Sequence, residues 1–226
     1  INAVKIFNEK EVDELILLDI TATNQNREPD YKRIEEIVSE AFMPIGYGGG
    51  INTIQQIETL FKTGVEKVIL NTALFTNPGL LNQASQVFGS QSIVAAIDVK
   101  NSLFSKYVVR THSGKKKQCT PIDEAIKSFV NQGAGEIFIN SIDRDGTMQG
   151  YDLDLVSQVA KLSPVPIIAS GGAGSVSDFA LAIKAGASAV AAGAMLVFQG
   201  VHRTVLISYP KYEELENTLA SISQNT

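Results

Sequence analysis

Cysteine and histidine are nearly missing from this 226-residue chain: there is one cysteine, Cys119, and there are two histidines, His112 and His202. A single cysteine cannot build a disulfide framework. A lone thiol fits a reducing compartment, so a cytoplasmic location is expected. No nearby motif activates Cys119 as a nucleophile. No His/Cys cluster or carboxylate set has metal-ligand spacing, so neither a metal nor a cofactor is expected. No apolar run reaches the roughly 20 residues that span a bilayer. The opening segment INAVKIFNEKEVDEL carries the pattern of an amphipathic helix, not of a signal peptide. The net charge is −5 and there is no long basic stripe, which argues against nucleic acid as a partner. The run Lys115-Lys116-Lys117 is too short to change that and reads as a solvated hairpin turn. Neither a GxSxG elbow nor a P-loop occurs.

What the chain does have is rhythm. Hydrophobic residues make up 44% of it, enough for a sizeable core. They fall in short runs: Glu14–Ile20, Met43–Gly46, Lys67–Asn71, Ile93–Asp98, Glu136–Ser141, Pro166–Ser170 and Ala189–Gly193. Between them lie helical patterns at Tyr31–Ala41, Thr53–Thr63, Pro78–Phe88, Asp123–Gln132, Leu153–Leu162 and Val176–Ala185. Alternating strand and helix with apolar strands predicts a parallel sheet covered by helices. Tyr107–Thr111 adds one arm of a hairpin that closes near His112-Ser113-Gly114. No linker or composition break divides the chain, so one domain is expected over 1–226.

A repeat decides the architecture. DELILLDITAT resembles GEIFINSIDRDGT, PIGYGGGI resembles PIIASGGAG, and GVEKVILNTAL resembles GASAVAAGAML. Each pair lies 122 residues apart: Asp13 to Gly135, Pro44 to Pro166, Gly64 to Gly186. Three matches at one offset describe two half-barrels, about 1–97 and 98–210, of a (β/α)8 or TIM barrel. Seven strands are found where the fold needs eight. The strand ending at Asp98 has no mate in the first half, so the first strand is expected to precede Ile1.

In such barrels the chemistry sits at the C-terminal ends of the strands. The residues there are Asp19, Gly48-Gly49-Gly50, Asn71-Thr72, Asp98, the stretch Asn140 to Gly146, Ser170-Gly171-Gly172 and Gly193-Ala194. The two glycine runs occupy equivalent places in the repeat, each before a helix start near Thr53 or Ser175. Backbone N–H groups exposed there suit a phosphate, and two such sites imply a substrate phosphorylated at both ends. Asp98 closes the apolar run VAAID, where an ionised carboxylate is costly, and is the candidate general acid–base group. Asp143 and Asp145 are candidates to bind hydroxyls or to fix the turn, with Arg144 as a pairing partner.

DELILLDITAT, GGGI, EKVILNTA, FGSQSIVAAIDVK, GAGEIFINSIDRDGTMQGYD and PIIASGGAG together resemble the cyclase subunit family of imidazole glycerol phosphate synthase, from about Glu11 to Phe198. The resemblance implies an enzyme of histidine biosynthesis that takes ammonia from a glutaminase partner. The reaction converts a bis-phosphorylated formimino ribulosyl nucleotide into imidazole glycerol phosphate and aminoimidazole carboxamide ribotide. It implies two acid–base aspartates; Asp98 matches the second, and the first belongs to the strand expected before Ile1. It also implies a charged ring through which ammonia enters the bottom of the barrel. Glu14, Lys67 and Glu136 match three members of that ring, and an arginine on the expected first strand is the fourth.

Asn140 stands where many members of the family carry Thr, and Gly193-Ala194 replaces the usual Ala-Ser end. The tail LVFQGVHRTVLISYP is more similar to the version found with surface-polysaccharide genes, which implies the alternative of ammonia supply for a sugar amidation. His202 and Arg203 in this tail read as surface residues, and His112 as solvent-facing. The related isomerase barrel shares the repeat and a two-phosphate substrate, but needs no ammonia and so no Glu14–Lys67–Glu136 ring. A non-catalytic subunit that only docks and activates a glutaminase is the remaining alternative.

Overall fold

Seven apolar runs become parallel neighbours in the order in which they occur along the chain. The computed structural model describes residues 2–102, 106–200 and 202–223. It opens with helix α1 (Asn2–Glu9), which buries Val4 and Phe7. The amphipathic opening is therefore helical for only part of its expected length; Glu11, at φ 53°, turns the chain. The first half continues with β1 (Leu15–Leu18), α2 (Tyr31–Val38), β2 (Ile45–Gly48), α3 (Ile54–Lys62), β3 (Lys67–Leu70), α4 (Ala73–Thr76) and α5 (Leu80–Phe88). The second half starts at β4 (Ile93–Asn101), which carries the hairpin strands β5 (Tyr107–Thr111) and β6 (Lys116–Lys117). Then come α6 (Ile122–Asn131), β7 (Glu136–Ser141), α7 (Leu153–Leu162), β8 (Ile167–Ser170), α8 (Val176–Lys184), β9 (Ala189–Ala191) and α9 (Ala194–Val197). The tail forms a small hairpin, β10 (Phe198–Gln199) with β11 (Thr204–Val205), and helix α10 (Tyr212–Ser223), which packs on α8. Among the described residues, no helix is long and apolar enough to cross a membrane.

The strand order is β1-β2-β3-β4-β7-β8-β9, with the β5–β6 hairpin attached antiparallel to β4. This is the curled parallel sheet of a (β/α)8-type barrel. Its end strands β1 and β9 are not paired with each other, and no eighth parallel strand lies between them among the described residues.

The 122-residue repeat is realised element by element. Moving β2 by that offset gives β8, and moving α3 gives α8, both residue for residue. The caps repeat as well. Asp30 caps α2 by accepting from Arg33 N, and Asp152 caps α7 by accepting from Leu155 N. Thr53 and Ser175 begin α3 and α8 with capping boxes closed by Gln56 and Asp178. A side-chain oxygen at this position satisfies a backbone N–H that the helix leaves without a partner. Thr53→Ala should therefore lower stability by about 1 kcal/mol, read as a lower urea midpoint at an unchanged m-value. A midpoint equal to that of the parent protein would show that the cap adds nothing.

The second strand is displaced from its expected place: Met43–Gly46 was expected, and Ile45–Gly48 is observed. Gly48, the first of the glycine run expected after the strand, instead belongs to it. A Cβ on Gly46 would come within 3.0 Å of Ile69 Cδ1, and one on Gly48 within 2.9 Å of Leu18 Cδ2. Glycine here admits neighbouring side chains to the barrel interior.

Alternation along each strand separates two cores. Ile93, Ala95 and Ile97 of β4 join Ile57, Leu60, Leu81 and Ile126 beneath the helices. Val94 and Ala96 point the other way and join Ile69, Phe138 and Ile168 inside the barrel. Asp98 continues that inward series and ends it at the barrel mouth.

Candidate active site

Inward-facing residues of a barrel stack in layers drawn from alternate strands. Three such columns matter. Along β3 and its end, Lys67, Ile69 and Asn71 alternate inward; along β7, Glu136, Phe138 and Asn140 do the same; along β4, Val94, Ala96 and Asp98. Strand periodicity thus carries a charged bottom and an amide-lined top on the same strands, about 13 Å apart at the usual strand rise.

At the top, Asn140 Nδ2 donates to Asp98 Oδ1 at 3.0 Å, across the parallel pair that sets Asp98 beside Asn140. Asn71 Nδ2 donates to the Ala96 carbonyl at 3.2 Å. Burial pushes the Asp98 carboxyl above its ordinary value; the amides of Asn140 and Asn71 act against this, and the charge of Asp145 adds to it. A raised pKa makes the neutral form of this carboxyl easier to reach than at an exposed aspartate, which suits a group that accepts and returns a proton. Asn140 Oδ1 is buried with no hydrogen-bond partner among the described residues. It is an acceptor that a ligand O–H or N–H would satisfy.

Asp98, Asn140, Asn71, Thr72, Asp19, Gly49, Gly50, Asp145, Ser170 and Gly193 all line one cavity of about 1380 Å³. Gly146, Gly171, Gly172 and Ala194 do not line it. The glycine runs also have a reason of their own. A Cβ on Gly49 would collide with the Asp19 carbonyl, and one on Gly172 with the Gly150 carbonyl. On Gly50 it would lie 2.5 Å from the Arg27 carbonyl, and on Gly171 2.6 Å from the Ser141 carbonyl. In each half the preceding loop lies directly on the glycine pair. Close approach of protein backbone therefore demands these glycines whether or not a phosphate binds there.

The loop after β1 is tied down by Asp19. Its Oδ1 accepts from Thr21 and Ala22, and its Oδ2 accepts from Arg27 Nη2 at 2.7 Å. Burial raises the Asp19 pKa, but these bonds outweigh it and hold the carboxyl below its usual value. In the polar turn after β7, the two carboxylates divide their work. Asp143 Oδ2 accepts from Asn101 N at 2.6 Å and anchors the extended end of β4; Asp145 faces the cavity. The expected pairing of Arg144 with either aspartate does not form. Its Nη1 instead donates to the Gln149 carbonyl at 3.2 Å, where the turn folds back.

His112 is half-exposed, and the solvent it faces is that of the cavity. The hairpin folds across the mouth: Ser113 Oγ donates to the Ile20 carbonyl at 2.6 Å, and His112 N donates to Thr72 Oγ1 at 3.0 Å. The sequence located the hairpin, but nothing local says which way it bends. His202 and Arg203 are exposed, as expected. Arg203 nevertheless reaches the Gly146 carbonyl with Nη2 at 2.6 Å and lies 5.1 Å from the Phe198 ring centroid.

At the opposite end of the strands, Lys67 Nζ donates to Glu14 Oε2 at 2.9 Å and to Glu136 Oε1 at 3.0 Å. All three side chains are partly buried. Burial works against the Lys67 ammonium, and the two carboxylates more than offset it, so its pKa is raised. Glu14 lines the same cavity as Asp98, which also reaches Tyr209 and Leu215 in the opening between β1 and β9.

Residues 1–202 match the family model described as histidine biosynthesis protein. A Pseudomonas aeruginosa protein, provisionally named a subunit of imidazole glycerol phosphate synthase, is 48% identical over 217 residues, covering 96% of this chain and 86% of that one. Imidazole glycerol phosphate synthase subunit HisF of a Thermotoga species is 39% identical over 207 residues, covering 92% and 81%. The subunit HisF of Streptomyces coelicolor is 38% identical over 198 residues, covering 88% and 79%.

Proposed function

The chain belongs to the histidine biosynthesis protein family, and on that premise we propose that it is the cyclase subunit of imidazole glycerol phosphate synthase. It uses ammonia, supplied by a glutaminase subunit, to convert a bis-phosphorylated formimino ribulosyl nucleotide into imidazole glycerol phosphate and aminoimidazole carboxamide ribotide. The observation that carries this reading is the pair of inward columns on β3 and β7, which end below in the Lys67–Glu14–Glu136 cluster and above beside Asp98 and Asn140.

Asp98 moves protons at the reacting carbon and nitrogen atoms. Its raised pKa comes mainly from burial, which suits a group that must hold a proton in one step and give it up in the next. Asn140 orients the carboxylate through Nδ2 and presents its unpaired Oδ1 to an N–H or O–H of the substrate. Asn71, Thr72, Gly49 and Gly50 hold one phosphate; Asp145, Ser170 and Gly193 face the other, with Gly146, Gly171, Gly172 and Ala194 in the backbone behind them, and Asp19 shapes the loop beside the first. Holding a flexible substrate at both ends and excluding water supplies much of the rate.

Glu14, Lys67 and Glu136 form the ammonia gate. Replacing Lys67 by Met removes the bridge and leaves two like charges facing each other. Ammonia should then escape, so that in the complex with the glutaminase several glutamates are released for each product formed, against one in the parent protein. A ratio that stays at one in the Lys67→Met variant removes the gate role. The reading as a whole is tested by turnover of the bis-phosphorylated nucleotide by the full-length protein with ammonium salts alone. Cyclised product is expected, and its absence at saturating ammonium would reject the proposal.

A further inference from the structure

The hairpin that crosses the mouth brings the His112 backbone against Thr72, where the proposed reading places a phosphate, and carries Lys116 on the far side of the His112 ring, just outside the cavity wall. Its tip is held at two points, by Ser113 on the Ile20 carbonyl and by the His112 N–H on Thr72 Oγ1. Asn24 Nδ2 adds a third tie, to Ser113 Oγ at 3.2 Å. Because Thr72 Oγ1 accepts from His112, its own proton is left to donate. Among the described residues it finds only Asn71 Oδ1 at 3.4 Å, a long and weak contact.

The His112 ring is held between two groups. Nδ1 lies 3.0 Å from Thr111 Oγ1, and Nε2 lies 3.2 Å from Lys116 Nζ. An ammonium can only donate, so Nε2 accepts and the ring proton sits on Nδ1. Lys116 makes no ion pair with a carboxylate among the described residues, unlike Lys67 or Arg27. The charged groups around the ring are Lys115 and Lys117 on the same hairpin, and Asp19 with Arg27 on the loop after β1. Those last two already neutralise each other. Glu28, Asp98 and Asp145 lie elsewhere in the cavity wall. In a chain of net charge −5, this corner carries uncompensated positive charge together with two donors short of acceptors.

We propose that His112 and Lys116 are ligand-binding residues: with Thr72 they form the receptor for one phosphate of a phosphomonoester, and the hairpin is the strap that holds it. The inference rests on the reading that Asn71 and Thr72 take a phosphate, and adds the cationic part of that site. A dianion draws the Thr72 hydroxyl away from Asn71 and the Lys116 ammonium away from Nε2. The freed Nε2 then takes up a proton and becomes a further donor. Burial and the Lys116 charge lower the pKa of the ring, and a bound dianion acts in the opposite direction.

The test is calorimetric binding of glycerol 3-phosphate to the full-length protein at pH 7.5. Lys116→Gln, at an exposed position, should weaken binding at least tenfold. Lys115→Gln, which removes the same charge but not the ring contact, should change it less than twofold. His112→Asn, chosen because Asn tolerates the φ of 55° found there, should also weaken it. In a His202→Asn background only one imidazole titrates, and saturating ligand should move its midpoint upward. If Lys116→Gln and His112→Asn bind like the parent while Thr72→Val has lost binding, the hairpin is no part of the site; the inference falls and the phosphate reading stands. If Thr72→Val also binds like the parent, the phosphate reading falls, and the inference with it.

Discussion

Asp98→Asn should lower ammonium-dependent turnover by about 10²–10⁴-fold, the range lost when a general acid–base group is removed, while leaving the protein folded. The two side chains have the same shape, and an amide oxygen at position 98 still accepts from Asn140 Nδ2. Stability should not fall. Asp98 has its carboxyl pKa raised in the folded protein. For an acid with a raised folded pKa, the protonated form is favoured by folding. The wild-type penalty therefore grows as pH rises through the unfolded value, about 3.9, and is complete above the folded value. At pH 7 the variant should be as stable as the parent or more so, and below about pH 3 that advantage should vanish. Paired urea melts at the two pH values, with initial rates at pH 7, check both halves. Unchanged turnover would remove Asp98 from the chemistry. Lost turnover with intact stimulation of the glutaminase partner would separate catalysis from docking, and would rule out a subunit that only docks.

Gly172→Ala should be the most damaging single-methyl change at the mouth, costing about 2–4 kcal/mol from steric overlap plus backbone strain. Gly172 has φ 114°, far from what an L-residue prefers. Its new Cβ would collide with the Gly150 carbonyl and lie 3.0 Å from Arg144 Cβ. The Gly172 carbonyl accepts from Gly150 N at 2.8 Å, so the collision also pries the turn that carries Asp145 away from β8. Gly146→Ala is the matched comparison. Gly146 has φ 72°, and nothing lies within 4 Å of a Cβ there. Only the left-handed backbone opposes that change, about 1 kcal/mol. Equal urea midpoints for the two variants would mean that the loop simply moves aside, and that close packing is not why glycine occupies position 172.

This pair of variants also separates what was legible from what was not. Glycines before a helix read as a phosphate cradle because that is what local sequence can express. The structure adds a second cause, the carbonyl of a loop packed on top, which comes from residues far away along the chain. The place of Asp98 at the barrel mouth was legible because it ends a strand whose alternation continues inward from Val94 and Ala96. The place of His112 in the cavity wall was not legible, for the opposite reason. A hairpin's own residues specify its turn, whereas its direction is set by Ser113 meeting Ile20, 93 residues earlier. Arg144 was expected on an aspartate because they are neighbours in sequence, yet the fold of the turn offered it the Gln149 carbonyl.

By itself the sequence determined the repeat, the strand and helix periods, the caps that recur 122 residues apart, and the inward columns that put Lys67 below Asn71 and Glu136 below Asn140. These follow from periodicities of 2 and 3.6 residues and from capping chemistry, which act over a few neighbours. Only the tertiary structure decided that Lys67 bridges two glutamates, that Asn140 keeps an unpaired oxygen beside Asp98, and that a hairpin crosses the mouth to reach Thr72. Each of those depends on which side chains meet across the barrel. Such contacts are set by strand register and by the packing of loops distant in the chain, to which no local rule applies.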